Sequence, residues 1–98
     1  MIEQMAAEHG LDPVLVAAIV SVESSGNTDA FRFEPKFWSR YLSKLPEYEG
    51  KNPRRFASSY GLMQVMHRTV MEDGFDGVPE ELFIPEIGLW WGCNQLRS

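Results

Sequence analysis

The stretch Asp12-Pro13-Val14-Leu15-Val16-Ala17-Ala18-Ile19-Val20-Ser21-Val22-Glu23-Ser24-Ser25-Gly26-Asn27 decides how this chain folds. Asp12 offers a side-chain oxygen to the unpaired N–H groups of a helix start, and Pro13 takes the first helical position, where a missing N–H costs nothing. From Val14 to Val22 the only polar side chain is Ser21. A helix without a polar face is expected to run through a core rather than over its surface. Ser24-Ser25-Gly26-Asn27 ends it. Glu23 is awkwardly placed: the residues three, four and seven positions before it are Val20, Ile19 and Val16, so its carboxyl continues an apolar stripe.

Working outward, Ile2, Met5, Ala6 and His9 recur at helical spacing, and Gly10 can take the left-handed conformation that stops a first short helix. Downstream, Pro35 opens a third helix with Phe37, Trp38, Tyr41, Leu42 and Leu45 as its apolar stripe. Residues 46–53, rich in Glu, Gly, Lys and Asn, read as an exposed loop. A fourth helix is expected within Gly61 to Asp73, stopping near Gly74. Pro79 to Phe83 adds a short turn, and Pro85 starts a last helix carrying Ile87, Leu89, Trp90, Cys93 and Leu96. No strand, repeat or low-complexity segment stands out. The fold class is therefore all-α, about five helices with no substantial sheet.

A chain of 98 residues with 44% hydrophobic content supports one core, so residues 1–98 are treated as a single domain. A formal charge of -5 argues against a nucleic-acid surface, which needs clustered Lys and Arg to displace counterions from phosphates. Arg54-Arg55 is the only basic pair and reads as a solvated loop charge. The lone Cys93 has no internal disulfide partner and reads as a buried thiol. His9 and His67 have no partner at ligand spacing, so no metal is implied. Met1-Ile2-Glu3-Gln4 lacks the basic segment of a signal peptide, and Val14 to Val20 is too short to span a bilayer. If the target lies outside the cytoplasm, something else must export this chain.

Glycosidic cleavage needs a carboxylic acid that stays protonated near neutral pH, to donate to the leaving oxygen. An apolar setting favours that form, with about 1.4 kcal/mol of bias for each unit of raised pKa. Glu23 fits this role, although a carboxyl in the last turn of a helix is, taken alone, more often simply solvated. Two further blocks bear on the choice. Gly61-Leu62-Met63-Gln64-Val65-Met66 is followed by Thr69, and Leu82-Phe83-Ile84-Pro85-Glu86-Ile87 is followed by Gly92 and Leu96. Together with Asp12-Pro13 and Glu23-Ser24-Ser25-Gly26-Asn27, in this order, they resemble the soluble lytic transglycosylases.

That resemblance implies a lysozyme-like helical domain. Its reaction cleaves the β-1,4 bond between N-acetylmuramic acid and N-acetylglucosamine in the peptidoglycan glycan strand and leaves a 1,6-anhydro product. It makes Glu23 the proton donor and later the base, and places Ser24, Gln64 and Met66 along the sugar-binding cleft. No metal or other cofactor is implied, because the substrate's own hydroxyl is the nucleophile. The residue types agree: Gly61 permits close backbone approach, Gln64 offers donors and an acceptor, and Met66 supplies an adaptable apolar wall.

The chain also departs from the family pattern. From Glu23 to Gly61 is 38 positions, about twice the compact family spacing, which marks an insertion near residues 31–57. Trp38 or Tyr41 could stack on a sugar from there, or simply pack. Asp29, Glu34 or Glu47 could orient a water, which would make the enzyme a muramidase resembling goose-type lysozymes. Ser58-Ser59 and His67 replace the family's Gly-Ala and Pro, and Gly88 stands where Asn is common. The family's later helices, with their aromatic-Asn-Gly segment, have no counterpart. The chain thus reads as the N-terminal and central part of the family domain, its groove to be completed by an attached domain or partner chain. A non-catalytic glycan-binding or structural piece of a wall-penetrating phage assembly is the alternative outside the enzyme class.

Overall fold

The computed structural model describes residues 1–97. Six helices dominate: α1 (Ile2–Glu8), α2 (Pro13–Ser24), α3 (Pro35–Arg40), α4 (Pro53–Phe56), α5 (His67–Glu72) and α6 (Pro85–Arg97). Three short strands, β1 (Phe31–Phe33), β2 (Ser58–Tyr60) and β3 (Val65–Met66), form an antiparallel sheet in the order β1-β2-β3. Its register pairs Phe31 with Tyr60 and Tyr60 in turn with Val65. The helical class read from the sequence stands, and the sheet is an addition to it. Strands of two or three residues are too short to show the alternation by which a strand is recognised.

The main core gathers Met5 and Ala6 of α1, Val16 and Val20 of α2, Tyr60, Leu62, Met63 and Val65 around the sheet, and Leu89 and Cys93 of α6. The Cys93 thiol is buried, as expected, and burial pushes its pKa up. Glycines set the closeness of the packing. A Cβ at Gly61, where φ is +75°, would lie 2.6 Å from the Leu82 carbonyl oxygen, and a Cβ at Gly88 would lie 2.7 Å from that same atom. A Cβ at Gly92 would meet the Met63 sulfur at 2.5 Å. The block around Gly61 and the block from Leu82 onward are thus fitted into one another.

α2 starts as expected: the Asp12 carboxylate accepts a hydrogen bond from the Val14 N–H at 2.9 Å, and Pro13 is the first helical residue. Its setting differs. Only Val16 and Val20 are buried, while Val14 is 73% and Val22 82% exposed. α1 packs against α2, and Leu15 and Ala18 are exposed as well. The expectation that this helix runs through the core is therefore corrected: it is a surface helix with an apolar outer face.

The inserted segment builds a small core of its own. Leu42, Tyr48 and Ala57 are buried there, with Phe33, Phe37, Trp38, Leu45 and Phe56 packed against them. Two 3-10 turns, Leu42–Lys44 and Pro46–Tyr48, carry the chain between α3 and α4. The loop expected over residues 46–53 therefore contributes a buried side chain, Tyr48, whose ring meets Trp38 edge to face at 6.4 Å. Trp38 is used in packing. Of the stripe predicted from Phe37 to Leu45, only Tyr41 points out, at 61% exposure.

Candidate active site

The end of α2 is defined by local hydrogen bonds. Ser25 takes a left-handed conformation (φ 54°) and its N–H reaches the Ser21 carbonyl oxygen at 3.1 Å, which terminates the helix. The Ser24 hydroxyl lies 3.0 Å from the Val20 carbonyl oxygen and 2.8 Å from that of Leu62, and accepts the Gly26 N–H at 3.2 Å. With one proton to donate, it serves either carbonyl. The Leu62 contact ties the residue after Glu23 to the turn that begins at Gly61.

That turn is closed by its own chemistry. The Gln64 N–H donates to the Gly61 carbonyl oxygen at 3.2 Å, and Gln64 itself has φ +50°. Its side-chain amide donates to the Gly61 oxygen at 3.0 Å and the Ala30 oxygen at 3.1 Å. The Ala30 oxygen also accepts the Gly61 N–H at 2.8 Å. The loop leaving α2 is therefore pinned to the turn at both ends, at Ser24 and at Ala30. Ser25 and Gln64 are the only non-glycine residues with positive φ among those described, and each sits in one of these two segments. Such backbone is retained where its surroundings over-determine it, and it concentrates at functional sites.

Glu23 stands on this helix end and is exposed. The sequence reading placed its carboxyl on a buried stripe, and this is corrected. The stripe holds through Val16, Ile19 and Val20, but the last turn of α2 projects beyond the elements that cover them. Gln64 and Met66 are half-buried, and Thr69 is exposed. Because both amide hydrogens of Gln64 are bound to carbonyls, its oxygen is the polar atom it can offer to a ligand. A concavity of about 550 Å³ opens beside the same helix end, lined in part by Val20, Gly26, Thr28, Leu62 and Leu89. Glu23 stands outside that lining.

Two of the other expected carboxyls have partners. Glu34 lies 3.3 Å from Arg32, and Glu47 lies 3.6 Å from Arg68. Asp29 is exposed. The two histidines are packed into the fold: His9 Nδ1 is 2.8 Å from the Met5 carbonyl oxygen and its ring meets Trp90, while His67 Nε2 donates to the Gly77 carbonyl oxygen at 2.8 Å.

A group of residues that sequence reasoning set aside lies at the junction of α4 and β2. Arg55 pairs with Glu80 through two contacts of 2.7 and 2.8 Å, which raises the guanidinium pKa and lowers that of the carboxyl. The Tyr60 hydroxyl donates to the Arg55 carbonyl oxygen at 2.6 Å, and burial pushes its pKa up to about 12. Arg55 is therefore not a free solvated charge, whereas Arg54 is exposed and has no ion pair among the described residues. The nearby signal was the pair of rings in Phe31-Arg32-Phe33, a run too short to announce a strand.

A mostly helical domain, with a small sheet that offers a tight turn to the end of a glutamate-bearing helix, is a domain of the lysozyme-like class. Residues 1–98 match the family model described as the transglycosylase SLT domain, and the chain belongs to that family. No curated protein and no solved structure matches it.

Proposed function

We propose that this chain carries the catalytic acid of a peptidoglycan lytic transglycosylase that works at the bacterial cell wall. The observation that carries the reading is the Ser24 hydroxyl bond to the Leu62 carbonyl oxygen, which fastens the Glu23 helix end to the turn bearing Gln64 and Met66. Membership of the transglycosylase SLT domain family supports the same reading. In it, residues 1–98 act as one unit with an insertion over 31–57, and Ser24, Gln64 and Met66 border the glycan.

The reaction needs one enzyme carboxyl. Glu23, protonated, donates to the oxygen that links muramic acid C1 to the next sugar, and the C1–O bond breaks. The Glu23 carboxylate then takes the proton from the C6 hydroxyl of the same muramic acid as that oxygen closes on C1. Glu23 ends protonated, no water is consumed, and the product is the 1,6-anhydro sugar. Protonated Glu23 is favoured when water is excluded around it. Bound glycan supplies part of that exclusion. An attached domain or partner chain seated on the apolar outer face of α2 supplies the rest and completes the groove.

Digestion of purified peptidoglycan, with mass analysis of the released fragments, tests the proposal. Fragments lighter than reducing-end products by one water are expected, and Glu23→Gln should abolish their release while leaving the far-UV spectrum and melting temperature unchanged. Reducing-end products would make the enzyme a muramidase. Absence of any Glu23-dependent release, with or without added peptidoglycan-binding partners, would leave only a binding or structural role.

A further inference from the structure

A second concavity, of about 330 Å³, lies where the inserted segment meets the 3-10 turn Pro79–Phe83. Its apolar wall is three rings: Tyr60 meets Phe31 at 5.2 Å and Phe83 at 4.8 Å, both edge to face. Its two cations are used unequally. Arg55 is held by the two-pronged pair with Glu80. Arg54, exposed at the rim, has no carboxylate within ion-pair distance among the described residues; its guanidinium lies 6.0 Å over the Phe31 ring and 5.2 Å over the Phe33 ring. A guanidinium resting on ring faces keeps its N–H edge available, and that edge matches a carboxylate bidentately. In a chain of net charge -5, two guanidinia facing one carboxylate make a local positive site.

The pocket borders the turn assigned to glycan. Tyr60 immediately precedes Gly61, and Phe31 immediately follows Ala30, whose carbonyl oxygen is held by the Gly61 N–H and the Gln64 amide. Peptidoglycan carries a short acidic peptide on its muramic acid, so a strand bound at Gln64 would bring carboxylates to this rim. Resting on the glycan reading above, we propose that the pocket is a subsite for that peptide: Arg54 pairs with one of its carboxylates, and Phe31 and Phe83 cover the adjacent aliphatic carbons. An inorganic anion would meet the same guanidinium but would gain nothing from the rings. The subsite would make the chain prefer peptide-bearing strands over bare ones.

Titration of the 98-residue chain, followed by ¹⁵N and aromatic NMR shifts, tests this with four probes: a muramyl tripeptide disaccharide with free carboxylates, the same compound amidated, the tripeptide without sugar, and a peptide-free N-acetylglucosamine oligomer. The free acid should bind about tenfold tighter than the amide, as expected for a hydrogen-bonded charge pair. Arg54→Gln should erase that difference without changing affinity for the peptide-free oligomer, and Arg54→Lys should restore part of it. Equal binding of acid and amide by the wild type overturns the subsite, as does displacement of the tripeptide by equimolar inorganic phosphate. If Arg54→Gln fails to fold, the acid-to-amide ratio in wild type and Arg54→Lys decides. Tripeptide shifts at Phe31, Tyr60 and Phe83 depend on the pocket alone, and oligomer shifts at Gln64 depend on the glycan reading alone, so either can fail separately.

Discussion

Substituting Ala at Gly61 and at Gly10 separates two costs that usually arrive together. Both glycines are left-handed, with φ +75° and +66°, but a Cβ at Gly10 meets nothing within 4 Å whereas one at Gly61 meets a backbone oxygen at 2.6 Å. The left-handed conformation costs an L-residue roughly 1–2 kcal/mol, and the stiffer unfolded chain returns about 0.4–1 kcal/mol. Gly10→Ala should therefore lose about 1 kcal/mol or less by that difference. Gly61→Ala adds an overpacking cost of about 1–3 kcal/mol. Gly88 presses on the same Leu82 oxygen, so the carbonyl cannot retreat in that direction. Against the roughly 5–15 kcal/mol of a domain this size, a total near 2–4 kcal/mol is a large share. Urea unfolding by far-UV circular dichroism measures both, and Tm should fall by on the order of 10–25 °C for Gly61→Ala against about 5 °C for Gly10→Ala. Gly61→Ala and Gly88→Ala should also couple, since they share one atom. Equal losses at Gly61 and Gly10 would refute the interlock between the two blocks.

Ser24→Ala should cost about 1–2 kcal/mol, one hydrogen bond plus an unpaired Leu62 carbonyl, and should reduce glycan release by more than the fall in folded fraction explains. Thermal melts and release assays on the same preparation check this. Gly92→Ala should cost less than Gly61→Ala because helical Gly92 carries no left-handed strain; part of its overpacking remains, since the Met63 sulfur can swing aside but the Met63 Cβ at 2.9 Å cannot, and a melting comparison decides. Tyr60, 2% exposed, favours its neutral form in the folded state. Its pKa of about 12 lies above the unfolded value near 10, so its contribution is complete below about pH 10 and is lost as pH rises toward 12. Tyr60→Phe should remove that component from the ultraviolet tyrosine titration and flatten the alkaline limb of the stability curve.

The start of α2 was legible because capping is local chemistry: Asp12 and Pro13 act within one turn. The end of α1 at Gly10 and the last helix from Pro85 were legible for the same reason. Burial was not local. The run Val14 to Val22 states that the helix is apolar on all sides but not which side meets another element, and the structure gives it one partner stripe. The strands escaped notice because each holds only two or three residues, and because β1 finds its partner β2 at least 25 positions away, while β2 and β3 close a hairpin too short to show alternation. Gly61 was read as a point of close approach, yet its neighbour, the Leu82 carbonyl, lies in a separate block that only the fold brings near. The pocket at Arg54 was invisible because Phe31, Arg54 and Glu80 stand far apart in the chain.

The exposure of Glu23 bears on the choice between hydrolysis and anhydro formation in a less direct way than it first suggests. An open carboxyl is accessible to water, which looks like an argument for hydrolysis. Yet water must be activated by a positioned base; of the candidate second carboxyls Glu34 and Glu47 already hold Arg32 and Arg68, which leaves exposed Asp29 as the one without an ion pair among the described residues. The muramyl C6 hydroxyl is attached to the ring that carries the reacting carbon. Well-oriented intramolecular groups reach effective concentrations of about 10⁵–10⁸ M, far beyond anything bulk water supplies. Even in an open groove, then, the internal hydroxyl is the faster nucleophile once C1 is released, provided the sugar is bound in a conformation that brings its C6 oxygen over C1. On that mechanism the outcome rests less on shielding Glu23 from water than on how the turn from Gly61 to Met66 would orient the muramic acid. On the proposed mechanism, the left-handed Gln64, pinned to Ala30 and Gly61, is the residue after Glu23 whose backbone geometry bears most on the product.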